Sequence, residues 1–299
     1  MTDVSALPAD PSVRGSADPG RGRAAEAQGA AIRLIATDLD GTLLDETGHV
    51  TARTRAALDA ARVAGIVVVP VTARQPIGLR AISEEAGFDG WALCGNGAYA
   101  IHLTTQERLF AEEIAVPVQQ RIARELAERI PDLLYASVRE AGEVFVAQEG
   151  YAEVAAHGDH KRDPATMGAV PLDEVLAAPS LKLVIRHRTI PTTEVFATLG
   201  ELDPTGFEAT LSGAPFVEVM AEGVTKATGL AQLCGSLGID SSEVLAFGDA
   251  LNDVAMLRWA GRSVAMANAE PDALAAATEV TLSSAEDGVA AVLERLLAG

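Results

Sequence analysis

Apolar runs and amphipathic segments alternate along much of the chain, which predicts alternating strands and helices. The segment from Ile32 to Thr37 is mostly apolar and is typical of a buried strand. Thr51 is a favourable cap for a helix that would end at Gly65, and the unbroken apolar run Ile66 to Val71 then predicts a second strand. Trp91 to Cys94 predicts a third strand. Apolar strands separated by helices favour a parallel sheet that is covered on both faces.

The pattern changes near Val116, where a helix with an apolar face is followed by short predicted strands. The alternation of strand and helix resumes after Glu222 and continues to a C-terminal helix rich in Leu and Val. We therefore expect a separate α+β unit in the middle of an α/β chain. Residues 1–30 contain Pro8, Pro11 and Pro19 but almost no large apolar side chains, so we predict that they form a disordered tail.

Composition narrows the classes of protein that fit. The chain has 299 residues, is 48% hydrophobic and carries a formal net charge of −19, which opposes binding to nucleic acid or to anionic lipid. It contains no apolar run of 18 residues and no secretory signal, so we expect no membrane partner and a cytoplasmic location. Cys94 and Cys234 are too few and too far apart to suggest a disulfide framework or a metal site.

Two carboxylates follow the first predicted strand. If the backbone stays extended, Asp38 and Asp40 share one face about 6 to 7 Å apart, where their negative charges repel each other. A divalent cation that prefers oxygen ligands, such as Mg²⁺, would relieve that repulsion. The alternative is that Asp40-Gly41 forms an ordinary turn and Asp38 a surface cap.

Three further polar residues share the position of Asp38 at a strand end or a helix start. Thr72 follows the second strand, and Asp249 follows the predicted strand Val244 to Phe247. Lys226 lies in the first turn of a predicted helix, where its charge opposes the helix dipole unless an anion lies beside it. Because ligands bind at this edge of an open α/β sheet, the residues together predict a site for metal and phosphate.

The two histidines of the segment His157-Gly-Asp-His160 have a spacing that can bind metal. No third ligand of suitable spacing accompanies them, and the surrounding residues mix both charge signs. We expect a solvated loop here rather than a metal site.

The motifs together resemble those of the haloacid dehalogenase-like (HAD) phosphohydrolases. The resemblance rests on Asp38-Leu39-Asp40-Gly41-Thr42, Thr72, Lys226 and Gly248-Asp249 with Asn252-Asp253. The segments Asn96-Gly97-Ala98, Ala265 to Ala269 and Glu286 to Ala290 are similar to the Cof-type branch, which has a type IIB cap. The resemblance covers residues 32 to 299.

This resemblance implies a Rossmannoid, doubly wound parallel sheet as the core, made of residues 31–114 and 220–299. An α+β cap of residues 115–219 would be inserted after the third core strand. The implied activity is Mg²⁺-dependent hydrolysis of a small phosphorylated metabolite through an aspartyl-phosphate. Type IIB relatives commonly act on sugar phosphates, so the resemblance implies a substrate of that kind.

The resemblance also implies a role for each motif residue. Asp38 would be the nucleophile, and Asp40 the acid and base that protonates the leaving oxygen and then activates water. The metal would be bound by the Asp38 carboxylate, the Asp40 carbonyl and Asp249, with Asp253 supporting the metal-bound water or Lys226. The phosphoryl oxygens would be held by three side chains: Thr72, Lys226 and Asn252.

Two positions depart from the family pattern, since Ala73 and Ala267 stand where glycine is usual. The change matters only if the backbone there needs a positive φ. Two other functions remain open: a phosphomutase on the same core, and a receiver-like module that is phosphorylated on aspartate without catalysis. The insert favours an enzyme because it can enclose a substrate. Spacing does not show which of four candidates in the insert faces the leaving group: Arg139, Arg186, His187 and Arg188.

Overall fold

A computed structural model describes residues 31–160 and 162–298, so the tail predicted for residues 1–30 lies outside the described residues. The strands are β1 (Leu34–Thr37), β2 (Val67–Pro70), β3 (Trp91–Cys94), β4 (Tyr99–His102), β5 (Arg108–Ala111), β6 (Leu134–Arg139), β7 (Val144–Ala147), β8 (Lys182–Arg186), β9 (Phe207–Thr210), β10 (Val217–Ala221), β11 (Val244–Gly248), β12 (Arg262–Ala265) and β13 (Glu279–Val280). The α-helices are α1 (Ala52–Val63), α2 (Arg80–Ala86), α3 (Val116–Ala127), α4 (His157–His160), α5 (Leu172–Val175), α6 (Thr192–Leu199), α7 (Lys226–Leu237), α8 (Val254–Trp259), α9 (Pro271–Ala276) and α10 (Gly288–Ala298).

Five strands form a parallel sheet in the order β13-β12-β11-β1-β2. Strand β1, which lies between β11 and β2, is buried on both faces, as its apolar sequence predicts. Ile35 packs with α1 and α10 on one face, whereas Leu34 and Ala36 pack with α7 and α8 on the other. Helices on both faces of a parallel sheet confirm the predicted doubly wound α/β fold.

The third predicted strand continues this sheet and then turns back. A parallel bridge joins Val71 to Leu93, so β3 lies beside the end of β2. β3, β4 and β5 pair antiparallel as a three-stranded sheet. The turn between β3 and β4 contains Asn96, whose φ of +59° is tolerated by asparagine better than by most residues.

The middle of the chain forms a second five-stranded sheet in the order β7-β6-β8-β10-β9, with every neighbouring pair antiparallel. One face packs on α3 and α6. Polar residues interrupt the apolar pattern of β6 and β9, so the sequence does not predict these two strands. An α+β unit is present as expected, while the division of the chain at 114/115 and 219/220 stays a prediction.

The segment around His157 differs from its expectation. It forms the short helix α4 rather than a loop, and His160 packs against Phe216 with the two rings stacked 4.6 Å apart. Its Nε2 lies 2.8 Å from the hydroxyl of Tyr151. The prediction of a solvated segment is therefore wrong for His160, because aromatic side chains distant in sequence enclose it.

No helix among the described residues is long and apolar enough to cross a membrane.

Candidate active site

The site is centred on two carboxylates that follow adjacent parallel strands. Asp38 comes directly after β1 and Asp249 directly after β11, and Thr37 lies beside Phe247 in the register of the two strands. Asp38, Asp249 and Asp253 each offer a carboxylate oxygen, and the three oxygens lie within 4.8 Å of one another. The shared sheet edge therefore unites residues more than 200 positions apart, as the sequence predicts.

The turn after Asp38 makes room for Asp249. Gly41 has a φ of +82°, and a Cβ atom there would lie only 2.3 Å from Oδ2 of Asp249. Thr42 donates a hydrogen bond of 2.7 Å from its hydroxyl to Oδ1 of Asp249. The Gly-Thr pair thus permits the approach of Asp249 and then fixes its carboxylate.

Lys226 supplies the positive charge among these carboxylates. Its side chain is fully buried, and its Nζ donates hydrogen bonds of 2.6 Å to Oδ1 of Asp38 and 2.6 Å to Oδ1 of Asp253. Although burial alone would lower the pKa of Lys226, Asp253 and Asp38 raise it above the ordinary lysine value. The anionic partner expected for a lysine in the first turn of a helix is thus a pair of aspartates.

Both oxygens of Asp253 are already engaged. Oδ1 binds Lys226, and Oδ2 accepts hydrogen bonds from the backbone N–H groups of Asp249 at 3.0 Å and Ala250 at 3.1 Å. Asp253 therefore orients Lys226 and the backbone of Asp249, while the supporting role that the resemblance implies for it stays a prediction.

The carboxylates of the cluster outnumber its positive charges, which favours the binding of a cation. Burial, which Asp253 and Asp249 reinforce and Lys226 opposes, raises the pKa of Asp38 well above its usual value. Burial likewise raises the pKa of Asp249 to about 6. Three carboxylates face one ammonium group, so a divalent cation with a preference for oxygen ligands fits the excess negative charge.

The side chain of Asp40 has a different environment from that of Asp38. Its carboxylate is half-exposed and accepts two hydrogen bonds from the guanidinium of Arg74, at 2.7 Å from Nε and 2.5 Å from Nη2. Arg74 comes two residues after Thr72, in the loop that follows β2, so this ion pair joins the first two motifs. Asp38 and Asp40 both line the same chamber.

Thr72 and Asn252 are buried and line the same chamber as Asp38 and Asp249. The Thr72 hydroxyl accepts a hydrogen bond of 3.1 Å from the N–H of Arg74, and Asn252 donates one of 3.0 Å to Oδ1 of Asn96. Neither Ala73 nor Ala267 has a positive φ. The absence of glycine therefore strains the backbone at neither position.

A chamber of about 460 Å³ lies over these groups and is lined by residues that follow strands of the parallel sheet and by residues of the insert. On the side of the insert, its lining includes five residues that sequence reasoning did not select for the site: Phe145, Arg162, Lys182, Phe216 and Glu218. For Lys182 and Glu218, the sequence contains one sign of a buried role, because each charged residue lies between two apolar residues, in Leu181-Lys182-Leu183 and in Val217-Glu218-Val219.

The four candidates from the insert do not line the chamber. Arg139 donates to the carbonyl of Val175, Arg186 pairs with Asp159, and Arg188 pairs with Glu153. His187 accepts a hydrogen bond from the N–H of Ile190.

His160 makes the stability of the insert sensitive to acid. Burial, and then the charge of Lys182, lowers the pKa of His160 to about 3, whereas an unfolded histidine titrates near pH 6.5. Between these values the unfolded state binds a proton that the folded state does not, so the free energy of unfolding falls as the pH drops. Urea unfolding at pH 7 and pH 5 should show that the parent loses about 1–2 kcal/mol more than His160→Gln. Equal losses in the two proteins would contradict the assignment of a neutral, half-buried His160.

Comparisons with known proteins agree with this arrangement. The family model for haloacid dehalogenase-like hydrolases matches residues 35–293. Phosphatase YwpJ of Bacillus subtilis is 28% identical, with 89% of this chain and 100% of that protein covered. Pyridoxal phosphate phosphatase YbhA of Escherichia coli is 29% identical, with coverage of 86% and 96%.

The fold is also similar to that of a solved structure, the HAD subclass IIB sugar phosphatase BT4131. The TM-score is 0.74 at 24% identity, and the match covers 88% of this chain and 98% of that one. The motifs, the doubly wound sheet with its insert and these relatives lead to one assignment: the chain belongs to the haloacid dehalogenase-like hydrolase family, as one of its phosphatases.

Proposed function

We propose that this protein hydrolyses small phosphate monoesters with Mg²⁺ and that Asp38 carries the phosphoryl group between the two steps. The observation that supports this most strongly is the position of the Asp38 carboxylate. It lies beside Asp249 and Lys226 at the floor of a chamber large enough for a metabolite.

In the first step, Asp38 attacks phosphorus and the ester oxygen leaves. Asp40 gives that oxygen a proton, and in the second step takes a proton from the water that releases phosphate. Arg74 holds the Asp40 carboxylate at the chamber through two hydrogen bonds, so its orientation is set before substrate arrives. Thr72, Lys226 and Asn252 would bind the phosphoryl oxygens.

Mg²⁺ would be held by the Asp38 carboxylate, the Asp40 carbonyl and Asp249, and when bound it would offset negative charge on the nucleophile and the phosphoryl group. The donor set supports this choice because it contains oxygen ligands only. Asp253 would keep Lys226 and the Asp249 backbone in place while the charges redistribute.

We also propose that residues 115–219 act as a cap on a core of residues 31–114 and 220–299. The residues of the insert that line the chamber support this division, because a cap excludes water and contacts the leaving group. A cytoplasmic location is part of the proposal and is supported by the two buried free cysteines.

The substrate class is a small phosphorylated metabolite. Sugar phosphates lead the proposal because the similar BT4131 is a sugar phosphatase, and pyridoxal phosphate is a second candidate because YbhA is a pyridoxal phosphate phosphatase.

A phosphate-release screen over sugar, nucleotide, flavin and pyridoxal phosphates tests the proposal. We expect release with Mg²⁺ and none with excess EDTA. An isomeric phosphate ester as the product, without release of phosphate, would instead identify a phosphomutase. A protein that becomes phosphorylated but releases no phosphate would support the receiver-like reading.

Asp249→Ala provides a test of the metal assignment. We expect activity to fall by about 10²-fold or more and to recover only partly at high Mg²⁺, because one carboxylate ligand is lost. Thr42→Val is the matched control, since it removes only the hydrogen bond to Asp249 and should cost much less. If the Mg²⁺ dependence of Asp249→Ala equalled that of the parent, Asp249 would not be a ligand.

A further inference from the structure

A buried chain of polar side chains connects the insert to Asn252. It begins with Lys182 on β8 and Glu218 on β10, which are diagonal neighbours on one face of the insert sheet because Glu218 lies opposite Val184. The Lys182 ammonium donates a short hydrogen bond to Oε1 of Glu218 and another, of 3.0 Å, to the carbonyl of Ala73. The ion pair thus reaches from the insert to the residue that follows Thr72.

The other oxygen of Glu218 continues the chain into the site. Oε2 accepts a hydrogen bond of 3.2 Å from Nδ2 of Asn96, and Oδ1 of Asn96 accepts one of 3.0 Å from Nδ2 of Asn252. The four residues whose side chains form these hydrogen bonds, Lys182, Glu218, Asn96 and Asn252, are each at most 9% exposed. Because these side chains are buried, water has little opportunity to compete for their hydrogen bonds.

The ionised carboxylate of Glu218 fixes which group donates and which accepts in each of these hydrogen bonds. Although burial opposes it, Lys182 lowers the pKa of Glu218, so the carboxylate stays ionised and can only accept hydrogen bonds. Asn96 must then turn its nitrogen to Glu218 and its oxygen to Asn252. Asn252 must in turn donate from its nitrogen to Asn96, and the second N–H group of that nitrogen stays available as a donor.

We propose that Glu218 is a positioning residue for phosphoryl binding: through Asn96 it fixes which end of the Asn252 amide is the donor. This inference rests on the proposed function, because that function assigns Asn252 to a phosphoryl oxygen. Lys182 holds the carboxylate in place, so the insert contributes to the orientation of Asn252 through these two residues.

Glu218→Gln tests the direction of the chain. The new amide must turn its oxygen to Lys182 and its nitrogen to Asn96, which reverses the amide of Asn96 and then that of Asn252. With Mg²⁺ present, we expect the affinity for inorganic phosphate to fall by about ten-fold or more, the effect of losing a hydrogen bond to a charged group.

A second substitution should restore the direction. In the double variant Glu218→Gln/Asn96→Asp, the carboxylate at position 96 accepts from both neighbours, so Asn252 again presents its nitrogen, and the net charge equals that of the parent. Asn96→Asp alone places two carboxylates together and should bind phosphate weakly. Leu183→Ala is the control for lost stability, because Leu183 neighbours Lys182 but packs in the core under α3 and α6.

Two measurements decide the inference: phosphate affinity by calorimetry, and the nitrogen-15 NMR signal of the Asn252 side-chain amide, identified by its loss in Asn252→Asp. Support consists of a shifted signal and weak binding in Glu218→Gln, recovery of both in the double variant, and affinity within about two-fold of the parent in Leu183→Ala. A parent-like signal and affinity in Glu218→Gln, or no recovery in the double variant, would overturn it. If the parent neither bound phosphate nor hydrolysed any ester, the proposed function would fail, while the NMR signals would still decide whether Glu218 orients Asn252.

Discussion

Replacing Asp38 by Asn is expected to abolish turnover while leaving the protein folded. The amide has nearly the shape of the carboxylate but cannot attack phosphorus, so we expect the rate to fall by at least about 10⁴-fold. The free energy of unfolding should stay equal or rise, because burial beside Asp253 and Asp249 already disfavours the ionised form of Asp38. Phosphate release under saturating Mg²⁺, with urea unfolding of the same samples, measures both effects.

Asp45→Asn is the matched control for this substitution. Asp45 lies a few residues beyond Asp38, where its Oδ1 accepts hydrogen bonds from Thr47 and His49, and it does not line the chamber. This variant should keep the parent's rate. Retention of ordinary activity by Asp38→Asn would remove Asp38 as the nucleophile.

Lys226→Met is expected to combine loss of activity with a large loss of stability. The ammonium forms hydrogen bonds of 2.6 Å with both Asp38 and Asp253, and all three side chains are buried. Removing one partner of a buried ion pair leaves uncompensated charge and costs about 3–5 kcal/mol. The apolar part of the side chain is similar in size, so a packing defect is not the main term. Urea unfolding at neutral pH should show this loss.

A double variant separates charge from packing in this prediction. In Lys226→Met/Asp38→Asn, one of the two orphaned carboxylates is gone, so the double variant should be more stable than Lys226→Met alone. Mg²⁺ should also stabilise Lys226→Met, because the cation supplies positive charge near the same carboxylates. If the second substitution added its own destabilisation, the loss would come from packing and the electrostatic account of Lys226 would be wrong.

The sequence by itself determined the elements of the parallel sheet and the residues at its edge. Unbroken apolar runs such as Ile66 to Val71 favour strands that are covered on both faces, and parallel strands end at one edge, so Asp38, Thr72 and Asp249 were expected near one another. This reasoning needs only local pattern and a general rule of topology. The same local pattern carried the resemblance to the family.

The tertiary structure alone decided the partners of those residues. That Asp253 uses both oxygens internally, and that Asp40 pairs with Arg74, follows from how turns on neighbouring strands meet. The chain from Glu218 through Asn96 to Asn252 joins residues more than 100 positions apart. Local pattern does not encode such contacts, because burial of a charge becomes tolerable only when distant segments supply its partners.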